Sequence, residues 1–338
     1  VYNYGVFDFE QPNFVYRFVK GETDYRAAEQ PYGPFMAHYA AHGRRAMAHR
    51  LNLSSQATAR LVEMLRTNVR PENAVYRYNY VLDNCATRPL RIVELAIGDT
   101  ILTGPAPIEA NSAITPTFRN VMRHYHRNYP WYQFGIDLAL GSGIDRPISS
   151  RQAAFAPAEL DRMLPTARVG GRPLVLDSAP LIDTPAEGAV LAPTPWYLSP
   201  LAVCWAFFAV TLAVAVRDLR RHRLTRWFDS AVFAIFGLAG CLLTFLIFIS
   251  VHEATSPNIL YFWLNPLCLL VPILIWIKSA RVVLICYQMI NFAVLFALCA
   301  AWPFVAQSAN PAFLPLVLAD MILAIRFVTV ARRPAHHI

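Results

Sequence analysis

Acidic residues are scarce in the second half of this 338-residue sequence. Residues 196–338 contain four of them against ten lysines and arginines, whereas residues 1–195 contain 18 against 20. The basic excess of the chain, a net +8, therefore lies mostly in the half with the longest apolar runs. A nucleic-acid-binding protein would carry that charge on a soluble face, and a soluble helical core would need many more polar residues. The sequence is therefore neither that of a nucleic-acid-binding protein nor that of a protein with a soluble helical core.

Five apolar stretches follow the prolines near residue 195, and their length and composition indicate membrane-spanning helices. Lysine and arginine cluster in the first and third connections and in the C-terminal tail, whereas the second and fourth connections contain neither. Because positive loops stay in the cytoplasm, we expect the N-terminal part outside the cytoplasm and the C-terminus inside it. The stretches cover residues 196–216, 230–251, 259–277, 282–305 and 311–330.

Cysteine is nearly missing from the first half, where Cys85 is the only one before residue 204. In an oxidising compartment a cysteine often forms a disulfide, but the other five all lie within or beside the apolar stretches. A disulfide inside the N-terminal domain is thereby excluded. Three interpretations of Cys85 remain open: a small buried apolar side chain, a nucleophile, or half of an intermolecular disulfide. The sequence contains no CxxC, P-loop or GxSxG motif.

Cys85 follows a predicted strand, VYRYNYVL at residues 75–82, and directly precedes a predicted buried helix. The N-terminus of a helix carries the positive end of its dipole and unpaired N–H groups. These groups favour a thiolate and can hold an oxyanion during acyl transfer. This position supports the nucleophile interpretation. The helix is predicted to end at Gly98 and is marked by Leu90, Val93, Leu95, Ala96 and Ile97.

Several segments of residues 1–180 resemble the Lnb N-terminal periplasmic domain family, and DNCATR is the most specific of them. The others are VYNYGVFDF, the Gly-Glu-Thr-Asp-Tyr segment, PENAVYRYNYVL, PWYQFGIDLALGSGIDRP and FAPAEL, while HEATSPN and WLNPL resemble the membrane portion of bacterial members. The family is distantly similar to circularly permuted papain-like proteins, in which a histidine-bearing strand precedes the cysteine-bearing helix. The resemblance implies an α+β domain with Cys85 as nucleophile, Asn84 and Thr87 shaping its surroundings, and Arg88 as a nearby electropositive group.

Histidine is missing from residues 1–30, although the papain-like arrangement requires one as general base. The resemblance places this histidine upstream of Val1, so we expect a chain that starts at Val1 to be weakly active or inactive. The histidines that do occur, His38, His42 and His49, are predicted to share one face of a helix over residues 35–50. We expect them to be structural or solvated and to bind no metal.

Polar residues also cluster near the predicted outer ends of the apolar stretches. His252, Glu253 and Asn258 lie in HEATSPN, and Asn265 lies just inside the next stretch. Polar groups at that depth must find partners, because lipid offers none. Two interpretations stay open: loop capping with interhelical hydrogen bonds, or a polar site at the outer surface. Asp320, inside the last stretch, is predicted to face the interior of the bundle.

Together these patterns predict a periplasmic domain over residues 1–180, a Pro-rich linker over 181–195 and a bundle of five transmembrane helices over 196–338. The predicted location is the inner membrane of a Gram-negative bacterium. The predicted activity is thiol-dependent hydrolysis or acyl transfer at an amide or ester of a cell-envelope peptide, lipoprotein or lipid. The alternatives are a non-enzymatic chaperone or assembly factor and, third, a transporter. The lipid bilayer is a predicted partner, nucleic acid is not, and no cofactor is predicted.

Overall fold

The computed structural model describes residues 1–7, 10, 12–104, 116–183 and 193–332. The chain divides into two compact units. The first comprises Val1–Tyr125 and Arg146–Ala192, and the second comprises His126–Asp145 and Pro193–Ile338. Residues 126–145 therefore pack with the apolar half, whereas the boundary predicted at residue 180 placed them in the N-terminal domain.

The first unit is a mixed α and β structure. Its strands are β1 (Tyr2–Val6), β2 (Asp24–Glu29), β3 (Ala46–Leu51), β4 (Val75–Arg77), β5 (Arg168–Val169), β6 (Arg172–Pro173) and β7 (Val175–Ile182). Its helices are α1 (Phe14–Lys20), α2 (Tyr32–Ala41), α3 (Ser55–Asn68), α4 (Pro71–Ala74), α5 (Thr87–Ile97), α6 (Phe118–Tyr125), α8 (Ser150–Ala153) and α9 (Pro157–Met163), and a 3-10 turn follows at Leu164–Thr166. The helix between α6 and α8 belongs to the second unit.

Strands β1, β2 and β4 form a three-stranded antiparallel sheet in the order β1-β2-β4. Tyr25 on β2 lies opposite Tyr76 on β4, so aromatic side chains fill the face that helices α3 and α5 cover. The strand predicted over residues 75–82 ends at Arg77. The buried core of this sheet consists of Tyr4, Tyr25, Ala27, Tyr76 and Ile92.

Helix α5 ends where the sequence predicted, because Gly98 adopts the left-handed conformation (φ 79°) that terminates helices. Its buried face differs from the prediction, since of the predicted positions Leu90 and Ala96 are buried and Val93 and Ile97 are only partly buried. Ile92 lies in the core, whereas Leu95 is 56% exposed. The buried positions 92 and 96 are one helical turn apart, and Leu95 lies outside that stripe.

The helix predicted over residues 35–50 is wrong in its second half. Helix α2 ends at Ala41, Gly43 adopts a positive φ of 60°, and the chain then extends as strand β3. A left-handed glycine ends a helix without a steric penalty. His49 consequently lies on a strand that pairs with β7, and His38 and His42 remain on or next to α2.

The second unit is helical. Its elements are α7 (Pro130–Ala139), α10 (Pro200–Arg221), α11 (Arg226–Phe248), α12 (Leu270–Leu274), α13 (Arg281–Ala301) and α14 (Phe313–Ala331). Six 3-10 turns connect them at Ser142–Ile144, Glu253–Thr255, Ile259–Phe262, Pro266–Leu269, Lys278–Ala280 and Trp302–Phe304, and one more lies at Trp196–Leu198. Helix α6 ends at Tyr125, and Pro130 starts α7.

Four helical segments of this unit are long and apolar enough to cross a membrane: Pro200–Arg221, Arg226–Phe248, Lys278–Phe304 and Phe313–Ala331. The third predicted stretch, 259–277, is a shorter, interrupted helical segment rather than one continuous span. Asn258 and Asn265 each begin a 3-10 turn by accepting a hydrogen bond from the backbone two residues ahead. Pro272 lies within α12, which is five residues long, and proline opposes a longer helix.

Gly141 and Ser142 are fixed to the loop over residues 252–258 by backbone hydrogen bonds. Gly141 N donates to Ala254 O (2.9 Å), and Ser142 N donates to Pro257 O (2.7 Å). A Cβ added to Gly141 would lie 2.2 Å from that same Pro257 carbonyl oxygen. The glycines of the GSG sequence therefore allow this segment to lie directly against the HEATSPN loop.

Candidate functional site

Cys85 lies in the turn between β4 and α5, and its side chain is exposed. The turn packs against strand β1 at Gly5, which has a φ of 89°. A Cβ added to Gly5 would lie 3.0 Å from the Cβ of Cys85. Gly5 is thus required both by its own backbone conformation and by the close approach of the cysteine.

The Asn84 side chain determines the shape of this turn. Its Oδ1 accepts hydrogen bonds from the backbone N–H groups of Ala86 (2.9 Å) and Thr87 (3.0 Å). Its Nδ2 donates to the carbonyl oxygens of Tyr80 (2.9 Å) and Phe155 (2.8 Å). Asn84 is buried and uses both ends of its amide group, so it holds the cysteine-bearing turn rigidly.

Thr87 completes the turn, because its Oγ1 accepts a hydrogen bond from the backbone N–H of Asn84 (2.8 Å). The first amides of α5 therefore already have acceptors within the turn and do not point at an external oxyanion. Among the described residues, no acceptor is bonded to the backbone N–H of Cys85 itself. The backbone N–H of Cys85, next to the sulfur, is therefore the donor available to bind a negatively charged oxygen.

Arg88 is not a free cation, because its guanidinium group is paired with a neighbouring carboxylate. Its Nε and Nη2 donate to the two carboxylate oxygens of Asp83 at 3.0 and 2.8 Å. Its guanidinium carbon lies 3.8 Å from the centre of the Tyr76 ring. The charge of Arg88 is therefore balanced by Asp83, and the pair fixes the segment before Cys85 against the sheet.

Three tyrosines, Tyr25, Tyr76 and Tyr78, lie near Cys85. The Tyr78 ring stacks on Tyr25 with centroids 4.0 Å apart. Burial, and then the neighbouring Cys85 sulfur, raise the pKa of Tyr78 above its ordinary value. Burial also raises the pKa of Tyr76 to about 12. These phenols stay protonated at neutral pH, so the hydroxyl of Tyr78 is available as a hydrogen-bond donor near Cys85.

None of the histidines in the described part of the chain is hydrogen-bonded to Cys85. His49 instead bonds Asp161 through Nε2 (2.7 Å) and Ser178 through Nδ1 (2.8 Å). His38 and His42 contact each other, with ring centroids 4.3 Å apart. The predicted cysteine nucleophile thus lies beside a phenol rather than an imidazole within these residues.

An aromatic surface extends from Tyr25 toward helix α1. The Phe7 ring lies 5.0 Å from the Tyr25 ring and 6.0 Å from the Phe14 ring. Phe14 in turn stacks on Phe18, and Phe7 and Phe18 are 39% and 51% exposed. The thiol therefore lies at one end of a partly exposed apolar surface.

Gly5→Ala is expected to displace the cysteine. The new Cβ meets the Cys85 Cβ and adds the cost of a positive φ, about 1–3 kcal/mol in the free energy of unfolding. Gly43→Ala is the matched control, because Gly43 also has a positive φ but would have nothing within 4 Å. We expect both variants to lose stability, and only Gly5→Ala to change the iodoacetamide alkylation rate of Cys85. Equal rates in the two variants would contradict this packing.

Alkaline pH is expected to destabilise the first unit. The folded pKa values of Tyr76 and Tyr78 exceed the unfolded value of about 10. Their contribution to stability is therefore complete below pH 10 and is lost as pH rises toward 12. The thermal midpoint of the protein should fall over this window, and less so in Tyr78→Phe than in a Tyr197→Phe control. An identical fall of the thermal midpoint in both variants would contradict the raised pKa of Tyr78.

The polar residues predicted at the outer face are placed mainly in loop structure. The Asn258 Oδ1 accepts from Leu260 N (3.0 Å), and its Nδ2 donates to Leu138 O (3.0 Å). Asn265 accepts from Leu267 N (3.1 Å). His252 and Glu253 lie at the start of the 3-10 turn that ends at Thr255. The two asparagines therefore cap turns, and the outer-face site remains a hypothesis.

A buried ion cluster, not predicted from the sequence, lies in the second unit. Arg326 on α14 donates to Asp218 (2.9 Å) and to Asp229, and all three side chains are at most 2% exposed. Asp218 also accepts from the hydroxyl and the N–H of Thr225. A basic residue inside an apolar stretch needs such partners, so Arg326 itself was the signal.

Comparison with known proteins gives two family matches. The Lnb N-terminal periplasmic domain matches residues 1–122, and the Lnb transmembrane domain matches residues 192–333. No curated protein and no solved structure matches the chain. The two matched ranges correspond closely to the two units, apart from the intervening residues. The chain therefore belongs to the Lnb family and joins a periplasmic N-terminal domain to a transmembrane domain.

Proposed function

We propose that this membrane-anchored periplasmic protein is a thiol-dependent hydrolase or acyltransferase with Cys85 as its nucleophile. The observation that carries the proposal is an exposed thiol on a rigidly hydrogen-bonded turn. Tyr78 lies near Cys85, and the backbone N–H of Cys85 has no acceptor among the described residues. Catalytic nucleophiles need this combination of access, fixed position and nearby donors.

The reaction would proceed in two steps. The Cys85 sulfur forms a bond to the carbonyl carbon of an ester or amide, while the bond to the leaving oxygen or nitrogen breaks. The thiol proton ends on the departing alcohol or amine, and a thioester remains on Cys85. Water or a second nucleophile then cleaves the thioester and restores the thiol. The N–H of Cys85 and the Tyr78 hydroxyl would stabilise the developing negative charge.

The aromatic surface and the membrane domain indicate the class of substrate. Phe7 and Phe18 offer exposed apolar area on the aromatic surface that extends from Tyr25, which suits an acyl chain or an apolar peptide segment. An enzyme attached to a bilayer acts most readily on molecules of the same envelope. We therefore assign the substrate to acylated lipids, lipoproteins or cell-envelope peptides, and the fold to the circularly permuted papain-like type suggested by the resemblance.

Turnover by the full-length protein in detergent tests the proposal directly. We expect hydrolysis of p-nitrophenyl butyrate to fall to background in Cys85→Ala and to persist in Cys241→Ala. Cys241 is an exposed cysteine on α11, so it controls for loss of a thiol elsewhere. Tyr78→Phe should lower kcat about 10–100-fold while leaving KM nearly unchanged. Equal turnover in Cys85→Ala and the parent protein would reject the enzyme proposal.

A non-enzymatic chaperone or assembly factor is the second candidate. The observation that favours it is the phenolic rather than imidazole neighbour of Cys85 among the described residues. Such a factor would use the aromatic surface for an exported partner and would not need the thiol. In that case Phe18→Asp would abolish function in cells, whereas Cys85→Ala would leave it intact.

The orientation in the membrane is also a proposal, with the protein in the inner membrane and its C-terminus in the cytoplasm. It is supported by five arginines at positions 217–226, between the first two apolar helices. Single cysteine reporters near Gly188 and Ala335, in an otherwise cysteine-free protein, test it. We expect a membrane-impermeant maleimide added outside spheroplasts to label the first reporter and not the second. Labelling of the second reporter and not the first would contradict this orientation.

A further inference from the structure

A second group of functional side chains lies inside the membrane domain. Asp320 is fully buried and is the eighth residue of the 19-residue helix α14. Its Oδ1 accepts a hydrogen bond from Asn291 Nδ2 at 2.8 Å, whereas its Oδ2 is buried without a protein partner. Asn291 is near the middle of the 21-residue helix α13. A carboxyl group is thus held midway along two membrane-length helices.

Gln288 is the second unusual residue. It is fully buried on α13, and neither its Oε1 nor its Nε2 has a hydrogen-bond partner in the protein. Gln288 precedes Asn291 by three residues and therefore lies on the same face of the helix. Leu284 and Leu295 continue this buried stripe above and below the two amides. A fully buried amide with both ends unpaired is costly unless something binds it.

The interrupted segment over residues 259–277 contributes further residues to the surroundings of Asp320. Trp263 is buried, its ring centroid lies 6.3 Å from that of Phe313 at the start of α14, and its indole Nε1 is also without a partner. Cys268 donates to the Trp263 carbonyl oxygen at 3.6 Å. Interrupted helices at membrane depth commonly line the sites of small ligands.

Charge distinguishes Asp320 from the other carboxylates of this unit. Asp218 and Asp229 share the guanidinium of Arg326. Among the described residues, Asp320 forms no salt bridge, and Tyr287 and Cys268 are the titratable groups recorded beside it. Helix α10 also packs against α14 and carries Cys204 and the already paired Asp218. An isolated carboxylate within a bilayer requires a positive counterpart.

We propose that Asp320, Asn291 and Gln288 form a buried site for one small monovalent cation, either a proton or Na⁺. The free carboxylate oxygen of Asp320 and the amide oxygen of Gln288 are hard oxygen donors, which suit both. Binding neutralises the carboxylate, and release leaves its charge facing the interrupted segment. The membrane domain would thereby respond to the cation supply of the cell rather than act as a passive anchor.

Carbodiimide labelling tests this site. Dicyclohexylcarbodiimide enters from lipid and adds to protonated carboxylic acids, giving a stable N-acylurea that peptide mass spectrometry locates. In the full-length protein in detergent or liposomes, we expect labelling of Asp320 at low pH and none in Asp320→Asn. Labelling should fall about tenfold per pH unit once the carboxylate form predominates. Asp229, paired with Arg326, is the internal control and should remain unlabelled.

Added salt separates the two cations. Protection of Asp320 by NaCl but not by choline chloride would identify Na⁺, and equal labelling in both salts would identify the proton. Labelling that does not change with pH would overturn the proposal, since it would reveal a permanently protonated structural acid.

If dicyclohexylcarbodiimide labels no residue, the thermal stability of the protein tests the cation site instead. A midpoint that shifts with pH or Na⁺ in the parent protein, but not in Asp320→Asn, supports the site. Equal shifts in the two proteins would overturn it.

Discussion

Arg326→Leu is expected to destabilise the membrane domain more than any other single substitution of a charged residue there. It leaves Asp218 and Asp229 buried at 2% and 0% exposure without their shared counter-charge. Removing one partner of a buried ion group costs about 3–5 kcal/mol. The measurement is the thermal midpoint of the full-length protein in detergent, together with the fraction that remains monodisperse.

Two further variants make this result specific. Arg220→Leu removes an exposed arginine of α10 and should leave the midpoint almost unchanged. Adding Asp218→Asn and Asp229→Asn to Arg326→Leu should restore part of the loss, because no buried charge then remains unpaired. If Arg326→Leu behaved like Arg220→Leu, the buried ion cluster would not hold α10, α11 and α14 together.

Gly240→Ala is expected to be the most damaging loss of a glycine. A Cβ at this position of α11 would lie 2.3 Å from the backbone carbonyl carbon of Asn265 and 2.5 Å from its Cα. Backbone cannot rotate away as a side chain can, so α11 and the interrupted segment must separate. We expect a loss of about 3 kcal/mol, at the upper end of the usual cost of overpacking.

Gly135→Ala is the matched control for Gly240→Ala. Gly135 also lies in a helix of the second unit, but an added Cβ would meet nothing within 4 Å. Alanine is the better helix former by about 1 kcal/mol, so this variant should be neutral or slightly more stable. A Gly240→Ala protein as stable as Gly135→Ala would mean that α11 does not approach Asn265 this closely.

Much of the architecture follows from local patterns in the sequence. The long apolar runs predicted the four membrane-length helices, and Gly98 predicted the end of α5. Local chemistry also misled in places. The alanine-rich segment before His49 favours helix by composition, but pairing with β7 made it a strand after Gly43. The third apolar stretch is long enough to span, yet its asparagines and prolines divide it into short turns.

The candidate site was predictable only in part. The position of the cysteine directly before a helix was visible in DNCATR, whereas its exposure was not, and Asn84 and Thr87 beside it were expected only from the family resemblance. The close approach of Gly5 to Cys85 joins two distant segments of the chain, which periodicity does not encode. Similarly, Asp83 takes both donors of Arg88, and only the folded turn reveals that this charge is already balanced.

Detection of an acyl-thioester on Cys85 tests the central claim most directly. The full-length protein is incubated with p-nitrophenyl butyrate, quenched in acid and digested, and the Cys85 peptide is analysed by mass spectrometry before and after hydroxylamine. The account predicts a butyryl group on Cys85 that hydroxylamine removes, and a hydroxylamine-resistant ester on the Cys85→Ser protein. Acylation of Cys241 to the same extent as Cys85, or no acylation of Cys85 under conditions of turnover, would contradict it.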